Sequence, residues 1–352
     1  MRGIALAAYA EQAAAPFDRV RRSWLGLILR SRAIAAVVTR RDRRIATLAT
    51  VQVAVAFAGA LYFPVLLFVL GPILLGVAHV AADVRYLVLR RRLESWWQNA
   101  VWAGCAALVA VRVVEELGLS ANTANAETLA AAAFVGTAIF AGVRGGGSRR
   151  RATVAAALLI AATLGALSHP TTARLVFVHA HNLIALVLWV YLFARRRAVA
   201  VPVALVTLGA ALLASGVLFS TTLASPGVRA FGLHAFAMSD WVAPFESPRL
   251  ALGVACAYVF LQSVHYGVWL SFVPQEELKG QGTLTFRMSA RSLFTDLGPG
   301  GVAAVVIAAL AVIGGAYFGI HRARSLYLSL AMFHGYLELA LLGFFFVRRE
   351  RP

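Results

Sequence analysis

Ten predominantly apolar stretches recur along the chain, roughly 45–63, 65–89, 97–114, 127–144, 152–168, 172–194, 199–219, 249–272, 300–319 and 325–347. Each is close to the ~20 residues a helix needs to cross the hydrocarbon core of a bilayer. The pattern predicts an all-α fold, a polytopic transmembrane helix bundle of about ten spans. The first two stretches meet at Tyr62-Phe63-Pro64, which predicts a tight hairpin there. The longer polar connections are 220–248, expected as a small lid or re-entrant element, and 273–299. No stretch provides a separate soluble domain, so function is expected in or at the bilayer.

The polar breaks are rich in arginine: RRDRR at 40–44, RRR at 90–92, RGGGSRRR at 144–151, RRR at 195–197 and RRERP at the end. With ten spans all of these clusters fall on one side, which the positive-inside rule makes cytoplasmic, as it does both termini. Residues 1–44 are read as a basic amphipathic cytoplasmic segment, 45–347 as the transmembrane domain and 348–352 as a basic tail. Trp24, Leu25, Leu27, Ile28 and Leu29 mix with arginines in a pattern suited to an anionic membrane surface. Glu11 interrupts the apolar run that a signal peptide would need. The expected location is a bacterial inner membrane, multi-pass.

Composition agrees with that pattern. Of 352 residues, 61% are hydrophobic and 14% charged, with mean hydropathy +0.77; a soluble domain carries about 25% charged residues. The net charge of +18 would suit nucleic acid, but it is divided among short clusters between apolar runs, so no nucleic-acid partner is expected. Membrane lipid and a hydrophobic small-molecule substrate are. Lys279, the only lysine, lies in a polar loop, which excludes a retinal Schiff base on a buried lysine. Cys105 and Cys256 sit in apolar runs and read as small core residues.

Candidate chemistry lies inside the spans. His79, His179, His181, His265 and His334 fall within apolar stretches, whereas His169, His234 and His321 fall in outer loops. Asp83 follows His79 by four residues, and Glu338 follows His334 by four. Residues so spaced share a helix face, giving two His–carboxylate units. His179 and His181 are about 200° apart around a helix, so only one can face a common point, and the sequence leaves open which. His79 lies 11 residues before Arg90, His181 lies 14 before Arg195, His265 lies 11 before Glu276, and His334 lies 14 before Arg348. At ~1.5 Å per residue these four share one depth to within roughly 5 Å.

Ionisable groups inside a membrane are costly, and several at one level predict function. Neutral imidazole is the commonest metal ligand, and carboxylates hold such ligands or complete the set. The expected site is a metal ion, iron foremost with copper or zinc also fitting, held by His79, His179 or His181, His265 and His334. Asp83 and Glu338 would be additional ligands or ring partners. With Tyr266 they are the catalytic candidates, and Asn182, Gln262 and Trp269 are expected to line a substrate cavity. The corresponding function is metal-dependent oxidation of a lipid-borne substrate. Haem is the alternative cofactor, as in a membrane cytochrome b. His321, about 20 Å from His334 along a continuous helix, would then hold a second, outer haem with His169 or His234. A transporter or proton relay using the same groups is a further alternative, although Pro64, Pro72 and Pro202 break no spans at matching positions.

At these residues the chain resembles the Brp/Blh family of bacterial membrane β-carotene 15,15′-dioxygenases. GVAH79VAAD83 is similar to the family's Gly-x-x-His-x-x-x-Asp motif, P248RLALGVACAYVFLQSVH265Y to its later proline-to-histidine span, and FH334GYLE to a late histidine. The similarity covers short segments of four spans. The chain departs from the family where YGVWLSF follows His265 in place of paired histidines, and in having the first motif on its second span. The resemblance implies a non-haem iron oxygenase acting on a lipid or isoprenoid. The HxxxH and HxxHH boxes of membrane desaturases and hydroxylases are absent.

Overall fold

A computed structural model describes residues 2–91, 93–194, 199–245, 247–278 and 283–349. Lys279, the arginines at 195–197, Arg92 and the end of the basic tail lie outside these described residues. The fold is 86% helical. Helices α1 (Arg2–Ile28) and α2 (Arg32–Val38) precede α3 (Arg41–Tyr62) and α4 (Pro64–Asp83). Then come α5 (Ser95–Glu116), α6 (Thr123–Arg144), α7 (Arg149–Ser168), α8 (Pro170–Leu188) and α9 (Ala200–Ala214). A short helix α10 (Phe219–Leu223) and a hairpin of β1 (Arg229–Ala230) and β2 (Leu233–His234) lead to α11 (Ala235–Val242). The chain closes with α12 (Pro248–Gly267), α13 (Val273–Glu276), α14 (Phe286–Ala331) and α15 (Phe333–Arg348). Three helices widen into π-helical segments at their C-terminal ends: α4 through Val84–Leu89, α8 through Trp189–Phe193 and α12 through Val268–Phe272.

Among the described residues eight helices are long and apolar enough to cross a membrane. The hairpin expected at Tyr62-Phe63-Pro64 forms, with Pro64 opening α4 where its missing N–H costs nothing. The expected stretch 199–219 becomes the 15-residue α9 and a turn. The last two expected stretches belong to one helical run, Phe286–Arg348, broken at Gly298 and at Gly319 rather than by a loop. The residue before a proline is driven from the α conformation. Gly298 precedes Pro299 and adopts φ 68°, which its missing Cβ permits. The polar N-terminal piece of α14 is thereby turned away from the apolar piece. That polar piece lies along α1, where Asp18 accepts the Phe286 and Arg287 backbone N–H groups at 2.9 and 3.0 Å. An acidic side chain there satisfies donors that a helix start leaves orphaned.

Among the described residues, the arginines of the clusters at 40–44, 90–91 and 144–151 gather at one end of the bundle. Arg41 donates to the Glu276 carbonyl oxygen, and Arg90 and Arg91 approach Glu277 at 3.7 and 3.5 Å. Arg144 lies over the Trp96 ring, Arg151 over Phe346, and Arg91 over Phe193. At the other end, described residues of 220–248 pack on the bundle, where Gly227 donates to Tyr62 O at 2.9 Å. His179 donates to Val242 O at 2.6 Å, and His321 to Phe231 O at 2.8 Å. Helix α12 is the central post: from Ala251 to Gly267 every residue except Val254 and Ser263 is buried.

Two apolar clusters fill the interior. One, near the arginine end, holds Leu87, Trp97, Trp189, Trp269, Leu337 and Phe344; the other holds Val65, Phe68, Ile73, Met238, Phe260 and Val264. On α4, α12 and α15 the residues between or beside these clusters are the histidines and carboxylates singled out above. The polar groups thus occupy a seam between two dry layers.

A second polar group was not anticipated. Glu127, 2% exposed, accepts from Arg112 at 2.7 Å, from Arg174 at 2.9 Å and from the Tyr336 hydroxyl at 3.0 Å. Glu115 bridges the same arginines, at 2.9 Å to Arg112 and 2.7 Å to Arg174. The network pins α5, α6, α8 and α15 together. Removing one partner of a buried pair strands the other charge, at a cost of about 3 kcal/mol. Glu127→Ala is therefore expected to lower the melting temperature in detergent sharply, and Glu127→Gln to do so less. An unchanged melting curve for Glu127→Ala would remove the network from the forces holding these helices.

Candidate metal centre

Four helices bring the site together. His79 and Asp83 come from α4, His181 from α8, His265 from α12, and His334 and Glu338 from α15. All six are buried, Asp83 and Glu338 completely. The ring centroid of His79 is 4.8 Å from that of His334 and 5.1 Å from that of His265. His181 is 5.2 Å from His265 and 5.4 Å from His334, and His265 and His334 are 5.7 Å apart. The four rings that the spacing placed at one level thus lie together. His79, Asp83, His265 and His334 each offer a ligand atom, all within 4.8 Å of one another, so this group could hold a metal ion.

The ring nitrogens can be assigned from their partners. A carbonyl oxygen only accepts, so a ring nitrogen bonded to one carries the proton. Nδ1 of His79 donates to Leu75 O at 3.3 Å, Nδ1 of His181 to Val178 O at 2.9 Å, and Nδ1 of His334 to Ala331 O. Each partner lies in the histidine's own preceding turn. In the neutral rings this leaves Nε2 as the lone-pair nitrogen. Nε2 of His79 and Nε2 of His334 then face each other across 3.2 Å. Two lone pairs at that distance repel unless a proton on one of them makes a hydrogen bond or a metal ion lies against both. Backbone-anchored Nδ1–H with Nε2 presented inward is the usual arrangement of metal-binding imidazole. Among the described residues neither ring nitrogen of His265 has a hydrogen-bond partner, and its Nε2 is 3.7 Å from Glu338 Oε1.

Among the described residues, three of the four carboxylate oxygens of Asp83 and Glu338 have no hydrogen-bond partner. Neither oxygen of Asp83 has a hydrogen-bond partner. Glu338 Oε1 accepts the Trp269 indole N–H at 2.7 Å, while Oε2 has none. Buried polar atoms are almost always paired, and unpaired carboxylate oxygens beside inward imidazoles suit a cation in chemical character. Two carboxylates and neutral rings around a divalent ion sum to no net charge, which suits burial in an apolar interior. Tyr266, a catalytic candidate, packs its ring 4.5 Å from His79. Gly76, one turn before His79, makes room for a second tyrosine: a Cβ there would fall 2.4 Å from Cζ of Tyr327. The Tyr327 hydroxyl is buried and has no hydrogen-bond partner among the described residues.

The structure resolves the ambiguity of α8. His181 faces the cluster, whereas His179, one of the expected ligand alternatives, turns outward to the Val242 carbonyl and stacks edge-on to Tyr258. Two residues along a helix amount to about 200° of rotation, so only one could face inward. His234 caps α11 by accepting the Phe236 N–H, His321 is tied to Phe231, and exposed His169 precedes α8. None of these three joins the cluster. Of the expected cavity-lining residues, Gln262 bonds Tyr258 at 3.1 Å and Asn182 bonds Val178 O at 3.2 Å. Both are buried beside the site. Sequence reasoning missed Tyr327, whose only signal is its place seven residues before His334 on the same inner stripe. It also missed Arg324, which is 3% exposed, donates to Phe68 O at 2.7 Å and lies 3.5 Å over the Phe68 ring.

Fold and site together define a multi-pass helical membrane protein with a buried histidine–carboxylate group able to hold a metal ion. Set against known protein families, curated proteins and solved structures, the chain matches none of them.

Proposed function

We propose that the chain is a metal-dependent membrane oxidoreductase, an oxygenase using non-haem iron, that acts on a hydrophobic lipid or isoprenoid substrate. The observation that carries this reading is the 3.2 Å approach of two Nε2 atoms whose rings are each anchored through Nδ1 to a backbone carbonyl. Histidine and carboxylate donors together suit iron, and iron when bound would supply redox chemistry with dioxygen. The protein's own groups define the rest. His79, His181, His265 and His334 would hold or flank the ion, and Asp83 and Glu338 would neutralise it. The Trp269 indole orients Glu338. Tyr266 and Tyr327 place hydroxyl-bearing rings against the same α4 face, at His79 and Gly76. The two apolar clusters exclude water from both sides.

The packing also favours a bare ion over haem. The rings meet edge to face with centroids no more than 5.7 Å apart in the measured pairs, which leaves no slot for a flat macrocycle between two of them. Protein purified in mild detergent, without chelators, tests the reading by elemental analysis and an absorption spectrum. Iron stoichiometric with the chain and no Soret band is expected. A Soret band would replace it with a haem protein, and the absence of both metal and colour with a transporter or proton relay.

A further inference from the structure

Helix α1 packs on the first piece of α14. Asp18 caps the start of α14, Arg21 donates to the Thr283 hydroxyl at 2.7 Å, and Glu11 meets Arg291 at 3.7 Å. Both acidic side chains of α1 are thus engaged by α14. Phe17, Val20, Trp24 and Leu27 stand elsewhere on the helix. At steps of three, four and three they share one face, and each is more than half exposed. The row continues onto the neighbouring helix. The Phe17 ring lies 5.7 Å from that of Phe286 in the first turn of α14, and Phe286 and Met288 are themselves about half exposed. A contiguous exposed apolar row marks an interaction surface, as scattered single residues do not.

The charges on the same two helices and their connection to α2 are of one sign. Arg19, Arg22, Arg30, Arg32 and Arg287 are exposed, and none has a carboxylate partner among the described residues. Asp18 is taken by Arg21 and Glu11 by Arg291, so no exposed acid offsets these five. The first piece of α14 has a second side as well. There Ser292, Leu293 and Asp296 line a cavity of ≈ 1020 Å³ that reaches Trp269, the indole that Glu338 accepts from. Whatever holds this piece in place therefore also shapes the space beside the candidate metal centre.

We propose that α1 and the first piece of α14 form an interfacial platform that docks on anionic phospholipid in the leaflet at the arginine end of the bundle. The apolar row lies at the boundary between headgroups and acyl chains, and the arginines lie among the phosphates. A helix with aromatic and aliphatic groups on one face and arginines off it binds such a surface through both. Each arginine near the surface adds an attraction that a neutral leaflet does not supply. A second copy of this chain is a poorer occupant, since it would set one group of unmatched arginines against another. The proposal stands apart from the chemistry assigned to the histidine cluster.

The experiment places a nitroxide at one site of the full chain through Phe17→Cys, Trp24→Cys or Arg22→Cys, the last about 200° from Trp24 around the helix. The native Cys105 and Cys256 are buried and stay out of reach of the label. Each variant is reconstituted in vesicles of phosphatidylcholine with or without phosphatidylglycerol. Electron paramagnetic resonance then reads the label's accessibility to dioxygen, which enriches in the apolar phase, and to a nickel chelate, which stays in water. With phosphatidylglycerol, the labels at 17 and 24 are expected to favour dioxygen and the label at 22 the chelate. Without it, the labels at 17 and 24 should shift toward the chelate. Arg19→Gln, Arg30→Gln and Arg32→Gln together should weaken the docking about a hundredfold and return both labels to water in either vesicle. These three side chains are exposed, so their loss leaves the packing of α1 on α14 intact. Labels at 17 and 24 as aqueous as that at 22 in both vesicles overturn the proposal and leave the face to an acidic protein. Shielding from both reagents overturns it in favour of a second copy. Equal immersion in the two vesicles, unchanged by the three substitutions, overturns the recognition of anionic lipid.

Discussion

His334→Ala is expected to strip the metal from the protein, and His79→Ala to do the same. These two side chains supply the Nε2 atoms 3.2 Å apart, so each variant removes half of the closest pair of donors in the site. Changing a residue that merely supports a ligand costs 10–100-fold in affinity; losing a ligand itself should exceed about a hundredfold, enough to empty the site during purification. His334→Gln, closer in size, separates metal loss from the packing defect that alanine leaves at a buried seam. His179→Ala and His234→Ala are the controls, since one ring bonds the Val242 carbonyl and the other caps α11. Elemental analysis of the variants purified in parallel decides the matter. Should His79→Ala and His334→Ala keep as much metal as the two controls, the site described here does not exist.

Glu338→Gln is the second. Its Oε1 accepts the Trp269 indole at 2.7 Å, a bond that an amide oxygen can also accept, and its Oε2 has no protein partner. The substitution removes a charge at nearly constant shape. The fold is expected to survive, with a melting temperature close to that of the parent, while metal affinity or turnover falls about 10–100-fold. Asp83→Asn should behave likewise, because neither of its oxygens is spoken for by the protein. Parental metal content and turnover in Glu338→Gln would remove that residue from the chemistry and leave it a tether for Trp269.

Much of this centre was legible in the sequence alone. Two His–carboxylate pairs at a spacing of four residues, and four histidines at matching distances from charged span ends, needed only helical geometry to be brought together. His179 and His181 could not be separated, because the choice depends on what α11 offers on the far side of α8. The Arg112–Glu115–Glu127–Arg174 network was missed for another reason. Its members stand near the ends of apolar stretches, where a charge reads as solvated, and only the packing of four helices makes them partners. Arg324 sits in HRARS, which reads as a polar connection; the helix continues through it because the Phe68 ring and carbonyl receive the guanidinium. The covering of the arginine end by α1 and the first piece of α14 depends on Asp18 reaching a helix start far along the chain, which no local pattern announces.

The π-helical segments on α4, α8 and α12 lie C-terminal to His79, His181 and His265 respectively. A turn closed from i to i+5 takes in one residue more than a turn closed from i to i+4. In each of these helices, what lies beyond the widened turn is therefore out of step with the histidine before it. Any kin of this chain whose helices run as plain α through the same region would carry the same histidines at a different count from their arginine ends. A fixed-spacing pattern drawn from this sequence would pass over them. A search meant to find them should anchor on each histidine and tolerate a single-residue gap after it.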